Sequence, residues 1–211
     1  MESVREFRLA SKRPVTRELA NYPTNFAFVS QPNDDYLAVP SVSSERRSYI
    51  PIGFFGPEVI ASNLCLIIPN AGRYHFGVRS SAMHMAWVRY VAGRLESRYR
   101  YSNQIVYNNF PWPQDVGDKQ KATVEKAAQG VLDARQQFPN ASLADLYDPV
   151  SMPPGLREAH SALDKAVDAA YGKKGLNLDA ERVAFLFDLY QQYTTLLPHT
   201  ERPKRTRRQN S

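Results

Sequence analysis

The sequence predicts an α+β protein: a mixed, β-rich part over residues 1–113, a small helical domain over 114–200 and a basic disordered tail over 201–211. Three observations lead there. Near Pro113 the chain changes from short β-type runs cut by Pro, Gly, Asn and Ser to segments with apolar residues at 3–4 spacing. With 211 residues, 43% of them apolar, it suits one large domain or two small ones with real cores. The final segment contains RPKRTRR, too polar and too self-repelling to pack.

The first residues, MESVREFRLASKR, have no apolar core for a signal peptide, and no run approaches the ~18 apolar residues of a membrane span. A cytoplasmic protein without a membrane partner is expected. Runs rich in β-branched and aromatic residues follow at Phe26–Gln31, Tyr36–Val42, Tyr49–Phe54, Glu58–Ile68 and Tyr74–Val78. Turn chemistry separates them at Pro32-Asn33-Asp34-Asp35 and Pro69-Asn70-Ala71-Gly72. Ser81 to about Leu95 reads as a helix, with Met83, Trp87 and Val91 on one stripe and Tyr90 and Leu95 on its flank. Arg98, Arg100 and Ser102 then alternate with Tyr99, Tyr101 and Asn103. In an extended segment the arginines share one face and the tyrosines the other.

Beyond Pro113, Lys119–Phe138 places Val124, Ala127, Val131, Ala134 and Phe138 on a stripe. Ser142-Leu-Ala-Asp145 is a weak relative of the capping box. Pro154–Tyr171 carries Leu156, Ala159, Leu163, Val167 and Ala170. Asp179–Leu197 carries Val183, Leu186, Phe187, Tyr190 and Leu197, with Asp179 as the expected N-cap. These stripes need burial and their connections are short, so an antiparallel helix cluster is expected.

Charge is concentrated rather than spread. The formal net charge is +6, yet Arg79–Arg100 alone holds five arginines against one acid, and Glu201–Ser211 five basic residues against one. The rest is therefore slightly acidic. Tyr90, Tyr99, Tyr101, Tyr107, Trp87 and Trp112 lie in or near the first basic segment. Arginine offers a planar donor fork for phosphates and guanine edges, and aromatic rings offer rigid contact area. The combination points to a nucleic-acid-facing surface rather than a catalytic pocket.

Known catalytic patterns are missing from the sequence. Cys65 is the only cysteine, which excludes an intramolecular disulfide or a cysteine cluster for zinc. His75, His84, His160 and His199 are scattered. Gly53-Phe-Phe-Gly56 and Gly172-Lys-Lys-Gly175 are isolated glycine pairs, better read as turns than as phosphate cradles. Amino-group methyltransferases grip the exocyclic amine with a short Asn/Asp-Pro-Pro-aromatic loop. Asn108-Asn-Phe-Pro-Trp-Pro113 lacks that order and reads as a rigid hinge that packs its aromatics.

Three stretches carry a family resemblance: SSERRSYIPIGF (Ser43–Phe54), FGVRSSAMHMAWVRYVAGRLESR (Phe76–Arg98) and YRYSNQIVYNNFPWP (Tyr99–Pro113). They resemble the target-recognition domain of MmeI-type DNA methyltransferases, which include fused restriction–modification enzymes and methylase-only relatives. LADLYDPVSMPPGLREAHSALDKAVDAAYG (Leu143–Gly172) and ERVAFLFDLYQQYT (Glu181–Thr194) are similar to that family's C-terminal helical segment. The resemblance implies a DNA target-recognition domain over 1–113 and a C-terminal helical domain over 114–200. It also implies an S-adenosylmethionine-dependent adenine-N6 methyltransferase domain on the N-terminal side, some relatives adding a nuclease.

No catalytic, metal or cofactor-binding residue is expected in this chain, which is expected to be inactive alone. Double-stranded DNA and a methyltransferase domain, in cis or in trans, are the expected partners. Arg98, Arg100, Ser102 and Asn103 are the base-reading candidates, since arginine pairs with guanine and asparagine with adenine. Arg46, Arg47, Arg79, Arg89 and Arg94 are the phosphate candidates. The competing expectation is a non-catalytic assembly subunit that binds RNA or an acidic protein.

Overall fold

Every large buried side chain among the described residues lies between Tyr36 and Leu186. One continuous apolar core joins the strands to the last helices. The computed structural model describes residues 1–25 and 31–195, and the chain divides into two units at Asn33. The first unit holds α1 (Glu2–Leu9), α2 (Pro14–Glu18) and a 3-10 turn at Leu19–Asn21. Arg8 gathers it by donating to the carbonyls of Leu19 (2.8 Å), Tyr22 (2.7 Å) and Asn25 (2.7 Å). These helices are not foreshadowed by the apolar pattern, because Ala20 is their one buried side chain. The run expected at Phe26–Gln31 lies, apart from Gln31, outside the described residues.

The second unit contains two small antiparallel sheets. In the first, β1 (Tyr36–Pro40), buried from Tyr36 to Val39, is central, between β3 (Gly53–Phe55) and β4 (Cys65–Pro69). In the second, β6 (Arg98–Arg100) is central, between β2 (Val42–Ser43) and β5 (Gly93–Leu95). Ser41 bridges the two: its N–H donates to the Leu64 carbonyl (2.8 Å) and its carbonyl accepts from Tyr101 (2.9 Å).

Three β-expectations and one helix expectation need correction. Tyr49–Ile52 is irregular although Ile50 and Ile52 are buried, and the Ile52 carbonyl accepts from the Arg135 side chain (2.8 Å). Glu58–Leu64 forms turns and coil, with β4 beginning only at Cys65. Tyr74–Val78 is helical, inside α3 (Arg73–Arg79). The turn before it caps this helix, because the Gly72 N–H donates to His75 Nδ1 (3.2 Å). Gly77 lets α3 lie close on its neighbours: a Cβ there would come within 2.9 Å of Val124 and 3.1 Å of Ala128. Finally, α4 (Ala82–Val91) does not reach Leu95. Ala92 turns extended, and Gly93–Leu95 pairs with β6 instead.

The helical part follows the apolar stripes closely. It comprises α5 (Asp118–Gln136), α6 (Leu143–Leu146), α7 (Pro154–Ala170) and α8 (Asp179–Thr195). The α5 stripe is rotated slightly: Ala128 rather than Ala127 is buried, and Phe138 is exposed beyond the helix end. At α6 the capping box is complete, Ser142 and Asp145 each accepting the other's backbone N–H. Gly172, at φ 69°, closes α7 while the Lys173 N–H donates to the Asp168 carbonyl (2.8 Å). Gly172 is thus a helix terminator, as the turn reading of this glycine pair expects.

Asp179 lies within the first turn of α8 rather than capping it. Glu181 accepts the N–H groups of Asn177 (2.9 Å) and Leu178 (3.0 Å) instead. Leu197 and the tail 201–211 lie outside the described residues.

The helices close over the sheets. α5 packs on α7, α3 lies against both, and α4 packs on α8. Two tyrosine hydroxyls hold the proline-rich segment in place: Tyr171 donates to the Pro111 carbonyl (2.8 Å) and Tyr193 to that of Trp112 (2.7 Å). Among the described residues, no helix is long and apolar enough to cross a membrane.

Candidate nucleic-acid interface

The three-stranded sheet centred on β6 organises the basic segment. Tyr99 and Tyr101 are buried, whereas Arg98 and Arg100 are exposed. The strand pleat therefore sorts the residues as their alternation requires. Register sets their neighbours: Leu95 faces Arg98, while Gly93 and Val42 flank Arg100. The Arg98 guanidinium pairs with Glu96 (2.8 Å) at the hairpin tip, both side chains being well exposed. Arg100 makes no side-chain hydrogen bond among the described residues.

β2 leads directly into the turn Ser44–Arg47, so Arg46 and Arg47 extend the same sheet. Arg46 is exposed; Arg47 is half-buried, with Nη1 3.5 Å from Ser43 Oγ.

Past the other end of β6, Ser102 Oγ accepts from the Ile105 N–H and starts a single π-helical turn, Asn103–Tyr107. Its i→i−5 bonds run from Tyr107 to Ser102 (3.0 Å) and from Asn108 to Asn103 (2.8 Å). Ser102 is thus half-buried and engaged in capping. Asn103 is exposed, with Oδ1 accepting from the Gln104 N–H (2.8 Å) and its amide donors unused.

Three phosphate candidates have other work. Arg79 is buried at 1% exposure and is removed from the surface altogether. Its guanidinium carbon lies 4.1 Å from the Tyr107 ring centre and 4.7 Å from those of Phe110 and Trp112. Nη2 donates to the Tyr107 carbonyl (3.2 Å). A helix carries it inward because α3 turns its Phe76–Arg79 face to the core. Arg89 pairs with Asp179 of α8 and ties α4 to the helical part. Arg94 stacks over Tyr99 (4.1 Å) and donates to the Ser97 carbonyl (3.0 Å), closing the hairpin from the face opposite Arg98.

The remaining titratable groups form internal networks. His84 Nδ1 lies 2.7 Å from the Arg79 carbonyl and Nε2 3.0 Å from the Tyr101 hydroxyl. Burial, aided by the Arg79 charge, holds its pKa well below the usual histidine value. His160 Nε2 accepts from the Tyr147 hydroxyl (2.6 Å), and the Tyr49 ring stacks on the imidazole at 3.9 Å. Burial and then Arg135 push His160 down to about 3. Asp164 accepts from Tyr49 (2.7 Å) and from the Ala82 N–H (2.7 Å), and burial pushes it up to about 6.

Each of these groups holds loop to helix. Among the described residues, none faces a constellation with nucleophile and base, and no His/Cys/Asp/Glu cluster is suited to a metal.

Structure thus brings together Arg46, Arg47, Arg98, Arg100, Ser102 and Asn103 and separates Arg79 and Arg89 from them. The sequence reading did not foresee the turn Asn103–Tyr107 that follows β6. A lone π-turn has no apolar period to announce it, and the one local signal is Ser102 before it.

Comparison with known proteins identifies the family. The family described as "MmeI, target recognition domain" matches residues 1–114, and "MmeI, C-terminal domain" matches 116–198. The chain is 42% identical over 179 residues to DNA methyltransferase A of Bacillus subtilis (strain 168), covering 85% of this chain and 20% of that protein. It also resembles the type IIL restriction-modification enzyme MmeI, solved in complex with DNA, with a TM-score of 0.82 and 52% identity. That match covers 92% of this chain and 26% of the other. The chain thus spans about a fifth to a quarter of the length of these relatives.

Proposed function

The chain belongs to the MmeI family, as its target-recognition and C-terminal domains. On that premise we propose that it is the sequence-reading portion of a restriction–modification adenine-N6 DNA methyltransferase. The observation that carries this reading is the alternation on β6, which presents Arg98 and Arg100 to solvent while Tyr99 anchors the strand. Arg98, Arg100 and Asn103 read base edges. Arg46 and Arg47, on the adjoining turn, contact phosphates and set the register without reading sequence. Ser102 contributes by shaping the turn that holds Asn103. Chemistry and S-adenosylmethionine belong to a methyltransferase domain outside residues 1–211, acting in cis or in trans in the cytoplasm.

Two measurements test this. Fluorescence anisotropy should show duplex binding that weakens steeply from low to physiological salt, as phosphate neutralisation releases counterions. Equal or better binding of RNA, or none of duplex DNA, would favour the assembly-subunit alternative.

In the enzyme reassembled with its methyltransferase domain, methylation profiling on a randomised library should show altered sequence preference for Arg98→Ala and Arg100→Ala. A lost bidentate base contact is worth about 1–3 kcal/mol at one position. Arg46→Ala should instead weaken all sequences alike. Saturable S-adenosylmethionine binding by the isolated chain would overturn the assignment of chemistry to another domain.

A further inference from the structure

Beside the end of β6 lies a groove of about 280 Å³ whose lining includes Val39, Ile67, Tyr101 and Tyr107 together with Asn103 and Asn108. We propose that this groove is a binding site for a single extrahelical nucleobase of the bound DNA, stacked on Tyr107 and gripped at its edge by Asn108 and Asn103. The proposal rests on the DNA-reading function above and names a second element of recognition, distinct from the face of β6.

The chemistry of the walls selects a planar, polar-edged ligand. Tyr107 supplies a ring whose other partner is the Arg79 guanidinium at 4.1 Å. Base–aromatic stacking tolerates any base, because every base has a π-face. The carboxamide of Asn108 makes no hydrogen bond among the described residues, so it offers an acceptor and a donor together. Asn103 adds the amide donors that its bond to Gln104 leaves unused. An asparagine donor–acceptor pair matches the edge of adenine. Arg100, three residues before Asn103, is an exposed cation in the same segment.

The groove is also held rigid from behind, as a stacking site requires. Arg79 clamps the Tyr107 carbonyl (3.2 Å), and Trp87 Nε1 donates to that of Val106 (3.1 Å). Arg79 Nε and Nη1 find no hydrogen-bond partner among the described residues. Burying a guanidinium so incompletely paired is destabilising. That expense is explained if the cation exists to fix and polarise Tyr107. Arg79 is thereby a positioning residue, and Tyr107 and Asn108 are the contacts.

The test uses this chain with a paired duplex and with the same duplex carrying one unpaired adenine, already free of its pairing. Anisotropy should show the bulged duplex bound at least about fivefold tighter, the lower end expected for one stacked base. Tyr107→Ala should abolish the preference, Tyr107→Phe should keep it, and Asn108→Ala should reduce it. Asn108 is exposed, so that variant reads the site even if Tyr107→Ala is poorly folded.

Equal affinity for the two duplexes in the unmodified chain overturns the proposal while leaving the DNA-reading function standing. So does a preference that survives Asn108→Ala and a folded Tyr107→Ala. Displacement of the duplex by free deoxyadenosine would reassign the groove to a small-molecule ligand. No binding of either duplex would sink both readings.

Discussion

The arginines of helices α3 and α4 and those of strand β6 lie within one basic segment, yet they answer to opposite demands. On the helices, Arg79 is enclosed by three aromatic rings and Arg89 reaches across to Asp179. On the strand, Arg98 and Arg100 stand in solvent, one tied only to a neighbouring exposed glutamate. A helix distributes its side chains around a cylinder, so a helical arginine in a packed protein can be turned wholly inward. A strand pinned by a buried tyrosine must present its alternate residues outward. Local charge density is therefore a poor guide to a binding face until the secondary structure is known.

That contrast is easiest to break at Arg79. Arg79→Ala should lower stability by about 3 kcal/mol, the scale of truncating a large buried side chain. Arg100→Ala should change it by less than about 0.5 kcal/mol, as exposed positions do. Urea denaturation of both variants decides it, and similar midpoints would mean that Arg79 is not the anchor inferred from its burial.

Gly77→Ala sharpens the same point from the backbone side. Alanine favours an isolated helix, yet here its Cβ would meet Val124 at 2.9 Å. Overpacking should win, with a loss of about 1–3 kcal/mol by the same measurement.

The buried network should appear as pH dependence. Asp164, raised from 3.8 to about 6, contributes stability below pH 3.8 that is lost as pH rises through 6. His160, lowered from 6.5 to about 3, contributes stability above 6.5 that is lost as pH falls through 3. Between about pH 4 and pH 6 the two oppose each other, with His84 acting in the direction of His160. Asp164→Asn removes one side, so its melting temperature should climb more steeply with pH across that window than the unmodified protein's. Parallel melting curves would contradict the arrangement. A small effect is expected at Arg89 and Asp179, both part-exposed: a double-mutant cycle should give a coupling of about 0.5–1 kcal/mol.

Periodicity made the helical half legible, since α5, α7 and α8 carry long apolar stripes with recognisable ends. The β half was legible in composition but not in extent. Tyr74–Val78 has strand residues and forms a helix, because Gly72 and His75 cap it and Gly77 lets it nest on α5. Tyr49–Ile52 is buried as a strand would be, but a side chain of α5 replaces one ladder partner.

For the candidate site, the alternation from Arg98 to Tyr101 fixed which residues face out as soon as the segment was taken as extended. The fates of Arg79 and Arg89 depended on partners in sequence-distant segments, at Tyr107–Trp112 and at Asp179. No local pattern records such pairings. The π-turn was equally hidden, being specified by one serine cap and by packing.

The pairing of β6 with β2 and β5 has a consequence for how this protein changes over generations. Along β6, successive positions answer to different physical demands: the tyrosine must fill the core, and the flanking arginines need only tolerate solvent. Replacements at Arg98 or Arg100, or at Leu95 and Val42 opposite them, leave the buried face undisturbed. Such a strand can exchange its outward residues one at a time while the buried tyrosine that anchors it stays in place.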